Sequence, residues 1–180
     1  MRNLQILQYP YFKKGSHSQR NLVFMDKDAE CLLIFDSNLN FFITDVFNFD
    51  LVKNKMVFYK KSGSNRDGYF YYKNKPFHRY LLGITDKKIQ IDHKDCDTRN
   101  NKINNLRIAS PMENSRNRRG SSKTGFKGVT KRSHKRYRAR ITVDKKLITI
   151  GHSDTPEGAA RLYNEAAKKY FGDFALLNDV

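Results

Sequence analysis

The sequence contains no tryptophan, only two cysteines, and no apolar run near the roughly 20 residues that a membrane-spanning helix needs. The cysteines, Cys31 and Cys96, are too few and too far apart for a disulfide framework or for a zinc site built from cysteine pairs. Residues 1–10 lack the apolar core of a secretory signal peptide. These absences predict a soluble, non-secreted protein without structural zinc and without a membrane partner.

Acidic residues are also scarce, because 18 Asp and Glu stand against 35 Lys and Arg, for a net charge of +17. Such an excess of positive charge predicts a polyanionic partner, and nucleic acid is the leading candidate. The 180 residues allow one medium domain or two small ones. Apolar residues make up 38% of the chain, which is above the level of disordered proteins, so we expect a folded protein.

Aromatic residues are absent from residues 81–125, although 17 of the 23 Phe and Tyr precede this gap and six follow it. This distribution predicts two separate hydrophobic cores. Residues 45–53 are compatible with either a short helix or a strand. The other N-terminal segments with strand-like patterns are residues 21–24, 31–35, 56–60, 69–72 and 77–81, the last two joined by a turn at 73–76.

The sequence Ser110-Pro111-Met112-Glu113 has the form of a capping box, so it predicts a helix from there to about Arg118. Residues 120–125 are small and polar, as is typical of a linker. Beyond them the pattern predicts a three-stranded sheet and a helix with Thr155 as its N-cap and Gly172 at its end. The predicted strands are residues 126–131, 136–143 and 147–151.

We therefore expect an α+β chain with a β-rich N-terminal region over residues 1–119, a linker over 120–125 and a C-terminal domain over 126–180. A polar cluster lies near the end of the first region. It comprises Asp92, His93, Asn105 and Asn114.

The residue types in this cluster predict metal-assisted hydrolysis of a phosphodiester. The carboxylate of Asp92 and the amide oxygen of Asn114 are hard donors that suit one Mg²⁺ or Mn²⁺ ion, with water and phosphate in the other positions. His93, with an ordinary pKa of about 6.5, can take a proton from water near neutral pH. Asn105 is predicted to hydrogen-bond either the imidazole or the backbone of the loop.

Four short motifs of this region resemble the HNH endonuclease family, especially its phage and intron-encoded homing endonucleases. They are His78-Arg79, Asp92-His93, Asn105-Leu106-Arg107 and Asn114-Ser115-Arg116-Asn117. The resemblance covers roughly residues 40–119, with its core at 76–119. It implies a ββα-metal fold and a metal-dependent endonuclease that cuts double-stranded DNA in the cytoplasm of a bacterial or phage-infected cell.

The same resemblance implies a role for each residue of the cluster. Asp92 and Asn114 would be the metal ligands, His93 the general base and Asn105 the orienting residue. Many members carry His-His in place of Asp92-His93 and histidine in place of Asn114. These differences favour Mg²⁺ or Mn²⁺ over zinc.

Residues 124–178 resemble the AP2 DNA-binding domain. The resemblance is carried by residues 125–129, 137–141, 150–151, 159–164 and 171–172, with Tyr137 where a tryptophan is expected. It implies a three-stranded sheet laid in the major groove of DNA.

Alternation along the second strand independently places three arginines on one face, where guanidinium groups can reach phosphates or guanine edges. The residues predicted to bind DNA are Arg116, Arg118, Arg119, Lys131, Arg132, Arg136, Arg138 and Arg140.

Other interpretations of the same residues stay open. The alternative to an endonuclease is a non-catalytic, sequence-specific DNA-binding regulator, and a nuclease directed at RNA is a third option. The acidic residues at 92–97 lack the glycine and glutamate of a calcium loop. We expect His78 to be a packed, hydrogen-bonded residue and the protein to be a monomer without a protein partner.

Overall fold

The computed structural model describes residues 3–12, 18–62, 66–120, 122–133 and 136–180. The chain forms two compact units, Met1–Ala109 and Ser110–Val180. Both units combine helices with antiparallel sheets, which confirms the mixed α and β composition. Within the described ranges no helix is long and apolar enough to cross a membrane.

The first unit is built mostly from short antiparallel strands. Its elements are β1 (Leu4–Gln8), β2 (Tyr11–Phe12), β3 (Ser18–Arg20), β4 (Leu22–Asp26), β5 (Cys31–Phe35), β6 (Phe41–Asp45), a 3₁₀ turn (Val46–Asn48), α1 (Phe49–Val52), β7 (Phe58–Ser62), β8 (Arg66–Tyr72), β9 (Lys75–Pro76), α2 (Phe77–Leu81), β10 (Gln90–His93), a 3₁₀ turn (Ile103–Asn105) and β11 (Leu106–Ala109). The sheets are β1-β4-β5-β6 and β7-β8-β9, with separate hairpins β2-β3 and β10-β11.

Aromatic side chains join the two larger sheets of the first unit to helix α2. Phe42 and Phe77 are fully buried, with ring centroids 4.9 Å apart, and Phe70 lies 4.8 Å from Phe42. Burying each such side chain stabilises the fold by about 1.5–3 kcal/mol. The four-stranded sheet, the three-stranded sheet and α2 therefore share one core, which also contains Val23, Leu32, Ile34, Val52 and Val57.

The prediction of a strand at residues 77–81 is wrong, because these residues form helix α2. The β8-β9 hairpin turns at Lys73 and Asn74, both of which have positive φ, and its second strand, β9, ends at Pro76. Pro76 has no N–H for a longer ladder and stands at the N-cap of the helix. Residues 45–53, for which helix and strand both stayed open, are helical over Val46–Asn48 and α1.

The second unit is a three-stranded sheet covered on one face by a helix. Its elements are α3 (Pro111–Arg116), β12 (Val129–Ser133), β13 (Arg136–Val143), β14 (Lys146–Ser153), α4 (Pro156–Phe171) and a 3₁₀ turn (Gly172–Phe174). The strands are antiparallel in the order β12-β13-β14. Helix α4 packs on the sheet through small side chains, since Ala159, Ala160 and Ala167 are fully buried against Val129 and Ala139.

The predicted helix caps of the second unit are confirmed. The Ser110 hydroxyl accepts a hydrogen bond from the Glu113 amide at 3.3 Å, and the Glu113 carboxylate accepts one from the Ser110 amide at 2.8 Å. Thr155 caps α4 by accepting from the Gly158 amide at 3.1 Å, and α4 gives way at Gly172, where φ is +51°. Such side-chain caps each stabilise a helix by about 1 kcal/mol.

Helix α3 belongs to the C-terminal unit, whereas the sequence placed it in the region that ends at residue 119. It is anchored there because the Arg116 guanidinium lies 4.7 Å from the centroid of the Phe171 ring and the Lys127 ammonium donates to the Arg116 carbonyl. The contact with Phe171 joins residues 55 positions apart, so no local pattern in the sequence shows it. The predicted linker at 120–125 includes Ser121, which lies outside the described residues.

Candidate active site and candidate nucleic-acid interface

The β10-β11 hairpin carries two of the predicted site residues, Asp92 and His93. In its register Asp92 lies opposite Arg107 and His93 lies opposite Leu106. Both side chains are buried, with exposed fractions of 4% and 5%. Strand β10 ends at His93, and the connecting loop is closed by a hydrogen bond from the Lys94 amide to the Asn105 carbonyl at 2.9 Å.

Arg107 holds the carboxylate of Asp92. Its Nε and Nη2 atoms lie 2.8 Å and 2.6 Å from Oδ2 of Asp92, and both side chains are largely buried. Removing one partner of such a buried ion pair strongly destabilises the folded protein, because the remaining charge is left buried without a counter-charge. Arg107 stood in the sequence motifs without a predicted role, and the cross-strand register gives it one, which is to orient Asp92 and balance its charge.

His93 sits in a pocket of rings and an amide. Its Nε2 lies 3.2 Å from Oδ1 of Asn101, and its ring centroid lies 5.2 Å from that of His78 and 6.2 Å from that of Tyr69. Burial lowers the pKa of His93, against the opposing effects of the Asn101 hydrogen bond and of three nearby aspartates. The imidazole is therefore neutral at neutral pH and able to accept a proton.

Asn105 holds the loop that follows His93. Its Oδ1 accepts from the Asp95 amide at 3.1 Å, and its Nδ2 donates to the Asp95 carboxylate at 2.9 Å and to the Asn100 carbonyl at 2.7 Å. The sequence left open whether Asn105 bonds the imidazole or the loop backbone. These contacts are with the loop, so Asn105 fixes the loop backbone. The imidazole of His93 instead hydrogen-bonds Oδ1 of Asn101, which acts as the acceptor. Sequence reasoning missed Asn101 because nothing marks it among the neighbouring asparagines.

His78 is a packed residue on helix α2, with 8% of its surface exposed. Its ring lies 5.2 Å from both Tyr69 and His93. Burial, with smaller effects of His93 and Arg79, lowers the pKa of His78 to about 3. The ring is therefore neutral in the folded protein over nearly the whole accessible pH range.

We expect His78 to make the folded state sensitive to acid. The folded pKa of about 3 lies below the ordinary value of 6.5, so between these limits the unfolded chain binds a proton that the folded chain does not. Stability should fall as pH decreases from 6.5 towards 3, by at most about 1.4 kcal/mol per pH unit from this one group. Urea unfolding of the full chain at pH 7, 5.5 and 4.5 measures this slope.

The matched variants are His78→Gln, which removes the buried titration, and His152→Gln, which removes an exposed histidine. The first should flatten the decline in unfolding free energy between pH 6.5 and 4.5, and the second should leave it as in the wild type. Equal slopes in all three proteins would show that His78 is not buried in its neutral form.

The two predicted metal ligands lie on different elements, Asp92 on β10 in the first unit and Asn114 on α3 in the second. Carboxylate and amide oxygens are donors that fit Mg²⁺ or Mn²⁺, which usually keep several of their waters. Over the described ranges no group of three or more His, Cys, Asp and Glu is arranged to hold a metal ion.

The face of the C-terminal sheet opposite α4 carries several of the predicted DNA-binding residues. Along β13, Ala139 and Ile141 are buried beneath α4, so the alternating Arg138 and Arg140 lie on the opposite face. The pKa of Arg138 is lowered by desolvation and by the positive charges of Arg140 and Arg132. None of the ion pairs found among the described residues involves these arginines or Arg136.

The remaining predicted DNA-binding residues differ in their surroundings. Arg116 packs on the ring of Phe171 and lies 4.0 Å from the Asp144 carboxylate, so it is engaged inside its own unit. Arg118 and Arg119, which follow α3, are exposed, as are Lys131 and Arg132 on β12.

Comparison with known proteins shows which family the segment containing the β10-β11 hairpin is similar to. Residues 79–116, which include all four residues of the polar cluster, match the HNH endonuclease family. The chain is 36% identical over 108 residues to an uncharacterized HNH endonuclease of Acanthamoeba polyphaga mimivirus. That alignment covers 57% of this chain and 57% of the viral protein, so the chain spans little more than half of its relative. No solved structure matches the chain. The two matches support the HNH endonuclease part of the predicted resemblance.

Proposed function

We propose, from the match to the HNH endonucleases, that this protein is a metal-dependent endonuclease that hydrolyses phosphodiester bonds of double-stranded DNA. The observation that carries the proposal is the environment of His93, a buried neutral imidazole next to Asp92 on the hairpin that matches the family. A histidine held in this form can act as a general base at neutral pH. As in the resemblance, we assign the enzyme a homing role.

In the proposed reaction His93 takes a proton from a water molecule, whose oxygen attacks the phosphorus opposite the leaving 3′ oxygen. The new P–O bond forms as the P–O3′ bond breaks, and the 3′ oxygen leaves with a proton from solvent. Asn105 keeps the loop after His93 in place through its bonds to Asp95 and Asn100. Arg107 orients the carboxylate of Asp92.

Asp92 and Asn114 are the residues that would hold the divalent ion. When bound there, Mg²⁺ or Mn²⁺ would stabilise negative charge on the phosphate and on the leaving oxygen. Only one ion is needed for this division of roles.

The C-terminal sheet is proposed to bind the duplex, in the manner of the AP2 domain that it resembles. A short catalytic hairpin contacts little DNA, so a second basic surface would supply affinity and site preference. The support is the row Arg136, Arg138 and Arg140 on the face that α4 leaves uncovered, with Lys131 and Arg132 on the neighbouring strand. Binding should weaken steeply with salt, through the release of counterions from DNA.

Incubation of the full chain with supercoiled plasmid tests the proposed activity. We expect conversion to nicked or linear DNA with Mg²⁺ or Mn²⁺ and none with EDTA. Absence of cutting under every divalent ion, with duplex binding retained, would overturn the nuclease proposal in favour of a DNA-binding regulator. Cutting of structured RNA in preference to duplex DNA, offered side by side, would overturn the assignment of the substrate.

A further inference from the structure

We propose that Asn101 is the positioning residue for His93, and that it keeps the imidazole proton on Nε2 so that Nδ1 is the atom that accepts the proton from water. The inference deepens the proposed nuclease function and rests on it for its catalytic meaning. Its structural part, the tautomer of His93, can be measured without any activity.

The side chain of Asn101 is held in one orientation. It is 1% exposed, and its Nδ2 donates long hydrogen bonds, both 3.4 Å, to the carbonyls of Thr98 and Arg99. With the amide nitrogen directed at two carbonyls, Oδ1 is the atom left to face Nε2 of His93, 3.2 Å away. An amide oxygen only accepts hydrogen bonds, so Nε2 must carry the proton in the neutral ring.

The backbone of Asn101 is fixed by strand β6 of the four-stranded sheet. The Asn101 amide donates to the Ile43 carbonyl at 2.8 Å, and the Ile43 amide donates to the Arg99 carbonyl at 2.8 Å. Ile43 and Asn100 form a parallel bridge, so residues 99–101 extend the sheet beyond β6.

Two polar side chains complete this attachment. The Thr44 hydroxyl donates to the Asn101 carbonyl at 3.0 Å, and Nδ2 of Asn48 donates to that hydroxyl at 2.9 Å. Thr44 is fully buried and Asn48 is 3% exposed, so water does not compete for these bonds.

This attachment gives the N-terminal sheet a part in the catalytic site. The segment that matches the HNH family begins at residue 79, whereas Ile43, Thr44 and Asn48 lie well before it. Through Asn101 these residues fix where the imidazole can point. The rings of His78 and Tyr69 pack on His93 as well, so the ring has little freedom to rotate.

The test measures the tautomer and the rate in the same proteins. In the full chain labelled with ¹⁵N-histidine, the ring nitrogens of His93 should report a neutral imidazole protonated on Nε2. Asn101→Ala removes the acceptor and should give a mixture of tautomers. It should also lower kcat for plasmid nicking by roughly 10- to 100-fold, the range for losing a partner that orients an active-site imidazole, with little change in KM for DNA.

Asn101→Asp is the matched variant, because it keeps an acceptor oxygen of the same size and should restore the Nε2-protonated ring and part of the lost kcat. Thr44→Val keeps Asn101 but removes the hydroxyl behind its carbonyl, and should lower kcat less than Asn101→Ala. If Asn101→Ala fails to fold, Thr44→Val tests the proposal instead. A wild-type kcat in Thr44→Val would contradict the role of the N-terminal sheet in positioning His93.

The inference is overturned if Asn101→Ala folds and keeps the wild-type tautomer and kcat. A fall in kcat with equal loss in the Ala and Asp variants and an unchanged tautomer would also contradict it, since that pattern indicates a purely structural role. If the wild-type protein cuts no DNA, the proposed function fails, whereas the ¹⁵N spectra still decide whether Asn101 sets the tautomer.

Discussion

His93→Ala should lower the rate of DNA cleavage by about 10²- to 10⁴-fold, the contribution expected of a general base. Its binding to duplex DNA should stay within about twofold of the wild type, because the surface proposed to hold the duplex is the C-terminal sheet. The buried neutral imidazole is the group that the reaction would use, and alanine leaves no side chain that can take the proton. Single-turnover nicking of plasmid at saturating protein measures the rate, and gel shift of a labelled duplex measures binding.

His152→Ala is the control for this variant, since His152 is an exposed histidine in the other unit. At saturating protein its cleavage rate should match that of the wild type. Cleavage by His93→Ala at the wild-type rate would contradict the role of His93 as the base. Loss of binding together with cleavage would contradict the separation between a catalytic hairpin and a binding sheet.

Replacing Arg136, Arg138 and Arg140 together by glutamine should weaken duplex binding by about 10²-fold, since each arginine contact to a base contributes on the order of 1 kcal/mol. The dependence on salt should weaken as well. Each lost phosphate contact lowers the slope of log K against log salt concentration by about 0.9. Fluorescence anisotropy with a labelled duplex at several salt concentrations gives both quantities.

The matched control removes three positive charges from helix α4, on the other side of the sheet. Arg161, Lys168 and Lys169 are exposed there, and their replacement by glutamine changes the net charge by the same amount. This control should lose little affinity and keep its salt slope. Equal losses in the two triple variants would show that binding depends on net charge and not on the face of the sheet.

Features with a local signal could be predicted from the sequence. The bounds of β13 agree with the prediction because its basic and apolar residues alternate with a period of two. The helices α3 and α4 begin where their capping residues indicate, and α4 ends at Phe171, directly before Gly172. Asp92, His93 and Asn105 could be singled out because they cluster within a short stretch of polar sequence.

Features that depend on pairing between distant residues could not be predicted. The bond between Thr44 and Asn101 joins residues 57 positions apart, and no pattern in the sequence shows it. Residues 77–81 were assigned to a strand because aromatic residues favour sheets. Their place in the fold is set instead by the packing of Phe77 on Phe42. Strand β1 was missed for a similar reason, since its partner β4 is not its neighbour in the chain. Strand β6 was missed although it pairs with the preceding strand β5.

The central proposal is that Asp92 and Asn114 would hold the one divalent ion that serves the reaction at His93. Mn²⁺ binding to the His93→Ala protein on an uncut duplex, followed by electron paramagnetic resonance of the free ion, tests it most directly. We predict one bound Mn²⁺ per chain, and its loss when Asn114→Ala or Asp92→Asn is added to the His93→Ala background. Unchanged Mn²⁺ binding in both double variants would contradict the claim.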